Sequence, residues 1–279
     1  MRHFISNRNI EIPNIIYGTA WKKYSTSFLV KQAILEGFRA IDTAGQPKHY
    51  HEDLVGKGLE DAYRSGIKRE SLFLQTKYTP IEGQDKTNMP YLERDSVVTQ
   101  IEKSFKRSKE NLRTKYIDSY LLHSPVFPSK RLLETWDVMS GLVKNKEVGQ
   151  IGICNCYDLD VLIYLYEKSE IKPSIVQNRF YSQTGYDKEI RKWCKEKSIV
   201  YQGFWTLTAN QTIVDSSLVF DLSEKYRVNQ ATIFYRFLNH IGIVPLNGTT
   251  NTEHMREDMK INSFELTKNE IEWLEVLLK

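Results

Sequence analysis

Eight short runs rich in β-branched and aromatic residues alternate along this chain with longer amphipathic stretches, and few folds accommodate that order. The runs are NIIYG (14–18), FRAID (38–42), LFLQTK (72–77), IDSYLLH (117–123), VGQIGI (148–153), SIVQN (174–178), IVYQG (199–203) and GIVPL (242–246). Helical periodicity falls near 26–36, 52–64, 94–112, 130–144, 157–169, 187–197, 229–240 and 252–260, with a last stretch at 267–278. Each crossover is long enough to return a parallel strand. Regular alternation of this kind predicts an α/β fold, and eight units predict a (β/α)8 TIM barrel. At 279 residues one such barrel uses the whole chain. Without an internal repeat, a low-complexity tract or a Pro/Gly-rich linker, we read 1–279 as a single domain.

Ahead of the first barrel strand, HFISNRNIEI carries apolar residues on both sides of Asn7-Arg8-Asn9. That pattern predicts a short N-terminal β-hairpin closing the bottom of the barrel. Two insertions, 79–93 and 204–215, follow the C-terminal ends of strands, the face on which such barrels build their sites.

Charge narrows the function classes. The net charge is +4, from 39 basic and 35 acidic residues. The basic stretch KSFKRSKENLRTK (103–115) lies on a helical pattern with Ile101, Phe105 and Leu112 facing inward, so it reads as a solvated helix face rather than a nucleic-acid surface. No run approaches the roughly 18 apolar residues of a membrane span, and the N-terminus lacks a leader's apolar segment, so the expected location is cytoplasmic. Cys154, Cys156 and Cys194 form no metal-like spacing, and neither a metal site nor a disulfide framework is implied.

Polar residues at the ends of the early strands converge on one rim: Asp42 after the second, Lys77 ending the third, His123 ending the fourth. Tyr50 follows Asp42 by eight residues, in a loop long enough to carry its hydroxyl back over the barrel mouth. A tyrosine is a poor acid near neutrality, since its ordinary pKa is about 10. A lysine close by favours the phenolate and lowers that value, and a carboxylate holds the lysine charged and oriented. His123 would position a substrate oxygen. Taken singly, Asp42, Lys77 and His123 read equally well as structural, and Tyr50 more readily as a loop aromatic.

The set resembles the aldo-keto reductases, whose barrel carries an Asp-Tyr-Lys-His tetrad at these strand ends. The motifs that carry the resemblance are GFRAIDTA with Tyr50 and LVGKGL (54–59), QTK (75–77), DSYLLHSP (118–125), IGICN (151–155), IVQNRFY (175–181) and VPLNGTT (244–250), in family order over nearly the whole chain. The resemblance implies reduction of a small-molecule carbonyl, with Tyr50 protonating the oxygen and Asp42 and Lys77 tuning it. It also implies a nicotinamide cofactor, NADPH by family default and NADH as the alternative. Asn155 and Gln177 would bind the ring carboxamide, with Thr19 and Asp42 nearby. Gln202 or Trp205 would supply the surface against the ring, and Asn247, Thr249, His254 and Asp258 the adenosine end. The expected partner is the substrate alone, with the chain a monomer or weak oligomer.

Three departures qualify the resemblance. Cys154 replaces a serine that many members carry. Gln202 stands in register with the stacking tyrosine, with Trp205 as a substitute. Leu246 takes the place of a lysine that meets the adenosine 2'-phosphate, leaving Asn247, Thr249, Thr250, His254 and Arg256 as donors. Because the chain stops at Lys279 just after its last helical pattern, the sequence predicts an open pocket walled by Trp21, His123, Trp205 and the 79–93 loop, favouring aldehydes over hindered ketones.

Two other functions are compatible with a barrel of this kind. A glycoside-cleaving barrel needs a pair of strand-end carboxylates, and only Asp42 qualifies, because Glu52 and Asp53 read as first-turn acids of a helix. A nucleotide-binding sensor or regulatory subunit with little turnover is the second alternative, against which stands the complete tetrad.

Overall fold

The computed structural model describes residues 3–278. β1 (His3–Ile5) and β2 (Glu11–Pro13) pair antiparallel, with Phe4 opposite Ile12. Between them Asn9 takes a φ of 57°, a left-handed value that asparagine tolerates better than most residues.

The barrel strands are β3 (Ile16–Gly18), β4 (Ala40–Asp42), β5 (Phe73–Tyr78), β6 (Ile117–Leu122), β7 (Val148–Cys154), β8 (Ile175–Arg179), β9 (Val200–Phe204) and β10 (Ile243–Asn247). All pair in parallel, and β10 closes the ring between β9 and β3. The predicted strands are all present, displaced by at most two residues at either end.

Side chains alternate across each strand, and this period of two builds two separate cores. Ile16, Ala40, Phe73, Leu121, Ile175, Val200 and Val244 point into the barrel, where Ile12 of the hairpin joins them as a buried apolar cluster with Phe4 and Ile10 against it. Their immediate neighbours Tyr17, Ile41, Leu74, Tyr120, Val176, Tyr201 and Ile243 point outward into the cluster shared with the helices. The hairpin therefore plugs the barrel, as its sequence predicts.

Around the sheet run α1 (Thr26–Leu35), α2 (Glu52–Arg64), α3 (Val97–Leu112), α4 (Ser129–Lys144), α5 (Leu159–Lys168) and α6 (Lys188–Glu196). They are followed by α7 (Gln211–Val214), α8 (Ser217–Tyr226), α9 (Gln230–His240), α10 (Thr252–Asp258) and α11 (Lys268–Val276). On α3, Ile101, Phe105 and Leu112 are buried beneath the basic face.

Two elements differ from the sequence reading. α7 and α8 occupy a region that showed no helical pattern, and α8 has a recognisable start: the Ser216 hydroxyl accepts from the Val219 amide, ahead of buried Val219 and Leu222. Glu52 is a first-turn residue of α2 but not a solvated one. Its carboxylate is buried, accepting from Thr76 Oγ1 at 2.5 Å and Ser108 Oγ at 2.9 Å, and so ties α2 to β5 and α3. Gly56 of the LVGKGL motif has a packing role in the same contact, since a Cβ there would lie 2.0 Å from the Asn111 carbonyl oxygen.

Candidate active site

Continuing the inward alternation upward places polar side chains above the apolar floor. Gln75 and Gln202 form the next layer, and Asp42, Lys77 and Gln177 lie with them toward the rim. Lys77 Nζ donates to Asp42 at 2.7 Å (Oδ1) and 2.6 Å (Oδ2), and to the Thr43 carbonyl at 2.9 Å. Asp42 Oδ1 also accepts from Gln75 Nε2 at 2.7 Å and Gln177 Nε2 at 3.2 Å, while Gln202 Oε1 accepts from both amides. A buried ion pair is tolerated when its remaining hydrogen-bonding capacity is filled in this way.

The loop after β4 brings Tyr50 over this pair. Gly45 N donates to the Lys77 carbonyl at 3.0 Å, and the Gln46 carbonyl accepts from His49 N and Tyr50 N, both at 3.0 Å. Lys77 Nζ lies 5.5 Å from the centre of the Tyr50 ring, and the ring of His123 meets that of Tyr50 edge-on at 6.0 Å. The His123 amide donates to the Tyr78 carbonyl at 2.8 Å, and Nδ1 bonds Thr79 Oγ1 at 2.7 Å, leaving Nε2 as the ring nitrogen that remains. The structure thus brings Asp42, Tyr50, Lys77 and His123 together.

Burial sets the protonation of this group. It pushes Tyr50 up to about 12, against the opposing pull of Lys77. The lysine acts in the expected direction, but the net lowering expected from sequence does not occur, because desolvating a phenolate costs more than one nearby ammonium returns. Lys77 is itself disfavoured as a charge by burial, yet Asp42 and Tyr50 raise it above its ordinary value. His123 is held well below 6.5 by burial, then by Lys77 and His49, so the imidazole is neutral. Cys154 is pushed up to about 12 by burial and stays a thiol.

Tyr50, His123 and Asp42 open on a cleft of about 980 Å³ whose lining includes Trp21, Asn155, Gln177 and Trp205 on one side and Asn247, Thr249, His254 and Asp258 on the other. Asn155 Nδ2 donates to the His123 carbonyl at 2.9 Å. Trp21, Asn155 and Trp205 all have left-handed backbones, with φ of 63°, 55° and 57°. Such conformations cost about 1–3 kcal/mol each outside glycine and gather at functional sites.

Several expectations need correction. Gln202 does not reach the cleft: it is fully buried and bonded to Gln75 and Gln177, because its position belongs to the layer below the rim. Phe204, one inward repeat further along β9, lines the cleft instead. Thr19 is fully buried and donates to the Asp42 carbonyl at 2.9 Å, outside the lining. No residue of 79–93 lines the cleft. That loop packs back on the β4 loop, where the Gly83 carbonyl accepts from Gln46 at 2.6 Å and the Gly45 carbonyl from Gln84 at 2.8 Å. Arg256 turns away to grip Glu36 through two bonds of 3.0 Å. Lys22, Arg179 and Tyr235 also line the cleft and are not among the residues singled out from sequence.

At the far end Asn247 Nδ2 donates to Asp258, whose carboxyl burial pushes up to about 7. The folded value exceeds the unfolded 3.8, so this group's contribution to stability is intact below about pH 4 and is lost as pH rises toward 7. Asp258→Asn should therefore raise the thermal midpoint at pH 8 and change it far less at pH 4. A gain equal at both pH values would contradict the assignment.

Comparison with known proteins converges on one family. The model described as "Aldo/keto reductase family" matches residues 15–279. The glyoxal reductase of Bacillus subtilis is 28% identical over 250 residues, covering 90% of this chain and 82% of its own. An NADPH-dependent alpha-keto amide reductase of Saccharomyces cerevisiae is 30% identical, covering 96% and 88%. Among solved structures, an aldo-keto reductase from a Medee basin deep-sea metagenome library superposes with a TM-score of 0.83 at 25% identity, covering 98% of this chain and 94% of its own.

Proposed function

The chain belongs to the aldo/keto reductase family, and on that premise we propose that it reduces small aldehydes and ketones with a nicotinamide dinucleotide, Tyr50 supplying the proton. The observation that carries this reading is the buried Lys77–Asp42 pair, closed to 2.6 Å directly beneath the Tyr50 ring, with neutral His123 against the same ring at the mouth of one cleft.

The cleft suits the cofactor. Its volume, about 980 Å³, lies at the upper end of what ligand sites of this kind span. The side chains at its inner end are amides and an aromatic ring, Asn155, Gln177 and Phe204, suited to a carboxamide-bearing heterocycle. Asn247, Thr249, His254 and Asp258 offer polar contacts at the other end for the adenosine. A bound nicotinamide supplies the hydride, and the remaining work falls to this chain's residues.

Tyr50, protonated across the physiological range, donates its hydroxyl proton to the carbonyl oxygen. Lys77 then stabilises the phenolate, and Asp42 keeps Lys77 charged and pointed at the ring. In the tautomer whose Nδ1 accepts from the Thr79 hydroxyl, His123 carries its proton on Nε2 and donates to the same carbonyl oxygen, fixing the angle of approach. Asn155 and Gln177 set which face of the nicotinamide meets the substrate.

The family's role in carbonyl reduction is general, and the relatives named for glyoxal and alpha-keto amides both act on a carbonyl activated by a second one. The test follows nicotinamide absorbance with NADPH or NADH against glyoxal, benzaldehyde and a bulky cyclic ketone. Turnover of the aldehydes is expected to exceed that of the ketone. With Leu246 in the lining and Arg256 bound to Glu36, NADPH should be preferred by less than about tenfold, under about 1.4 kcal/mol. Tight nucleotide binding with no turnover of any carbonyl would favour a sensor instead, and a hundredfold NADPH preference would contradict the weight given to Leu246.

A further inference from the structure

Arg179 is the last residue of β8 and lies one inward repeat beyond Gln177, about 6–7 Å further up the wall of the cleft that it lines. Its guanidinium lies 3.9 Å from the ring centre of Trp205 and 5.3 Å from that of Tyr181. Stacking of this kind uses the flat face of the group and leaves its N–H donors directed outward from the edge. Those donors are unspent: Nε is buried without an acceptor, and the guanidinium has no ion pair among the described residues. An unpaired buried donor is costly, so a position that keeps one demands an explanation.

The other charges of the cleft sharpen the point. Asp42 is bonded to Lys77, and the raised carboxyl of Asp258 is bonded to Asn247. Neither carboxylate meets Arg179. Trp205, whose ring meets the guanidinium, has a left-handed backbone. The backbone next to Arg179 is fixed as well, since its amide donates to Tyr157 Oη at 3.0 Å and Tyr157 in turn bonds Asn155 Oδ1 at 3.5 Å. The Arg179 backbone is thus tied through Tyr157 to Asn155, which lines the same cleft.

We propose that Arg179 is a receptor for an oxyanion carried by a ligand of this cleft, either a carboxylate on the carbonyl substrate or the diphosphate of the nucleotide. The proposal rests on the reductase reading for the identity of those ligands, but not for the existence of an anion site. A guanidinium held 3.9 Å from the Trp205 ring presents a fork that matches either oxyanion through two parallel bonds.

The test uses the full chain with Arg179→Gln and Arg179→Lys, each checked for an unchanged melting profile. Equilibrium binding of inorganic diphosphate, NADPH and NADH is read from tryptophan fluorescence. KM is measured for 4-carboxybenzaldehyde and its neutral analogue 4-carbamoylbenzaldehyde. If the diphosphate is the ligand, Arg179→Gln weakens inorganic diphosphate and both nucleotides at least about tenfold and leaves the aldehyde pair equally affected. If a substrate carboxylate is the ligand, KM for 4-carboxybenzaldehyde rises at least about tenfold while that for 4-carbamoylbenzaldehyde stays within about twofold. In either case Arg179→Lys restores only part of the loss, since an ammonium keeps the charge but neither the two-bond fork nor the stacking. The proposal is overturned if inorganic diphosphate and both nucleotides keep their affinity while the charged and neutral aldehydes change together, or if no probe changes. Absence of turnover by the wild-type chain would instead count against the reductase reading, and the binding measurements would still decide the role of Arg179.

Discussion

Tyr50→Phe is expected to lower kcat by roughly a hundredfold to ten-thousandfold while leaving nucleotide affinity within about twofold, the range a positioned general acid supplies. The substitution removes one oxygen and little else. The ring keeps its place over Lys77, at 5.5 Å, and against His123, at 6.0 Å, so the fold around it should persist. Single-turnover rates beside nucleotide binding separate the chemical step from affinity. A variant with full kcat would remove Tyr50 from the proton transfer, and one that lost nucleotide affinity in parallel would make it a binding residue.

The second large effect concerns the pair beneath it. Lys77→Met leaves Asp42 buried and without its ammonium, and breaking a buried pair on one side costs about 3–5 kcal/mol. The double variant Asp42→Asn with Lys77→Met should recover half or more of that loss, because asparagine's oxygen still accepts from Gln75 while no charge remains buried. Both variants should be inactive. Denaturant titration checks the stabilities, and the informative outcome is the sign of the coupling. If the double variant were less stable than Lys77→Met alone, the lysine would not be balancing a charge.

How far the site could be read from sequence follows from what kind of signal each part leaves. The barrel was legible because strand and helix periodicities differ and repeat eight times. The same alternation explains the error at Gln202: matching it to a family position ignored that Val200, Gln202 and Phe204 all face inward at successive heights, so the aromatic at the rim had to be Phe204. Counting layers from Val200 would have found it. Counting from Ile175 through Gln177 likewise leads to Arg179, whereas Lys22 left no such mark, since it reaches the cleft from a loop whose direction only the packed structure defines.

Electrostatics was the least legible part. That Lys77 lies beside Tyr50 followed from the tetrad, but whether the ammonium or the desolvation wins depends on burial, which a motif does not encode. In the structure desolvation wins and Tyr50 rises to about 12. Glu52 shows the same limit: it is the first-turn acid of α2 that the sequence indicates, but its enclosure by Thr76 and Ser108 is not encoded in that pattern.

The central claim, that this cleft reduces a carbonyl with a nicotinamide held in one orientation, is tested most directly by label transfer. NADPH deuterated at C4 on one face or on the other is supplied with benzaldehyde, and the alcohol is analysed by mass spectrometry. If Asn155 and Gln177 fix the ring, one labelled epimer delivers its deuterium to the carbinol carbon with slowed turnover, and the other gives unlabelled alcohol. Equal transfer from both epimers, or no deuterium in the product from either, would contradict the account.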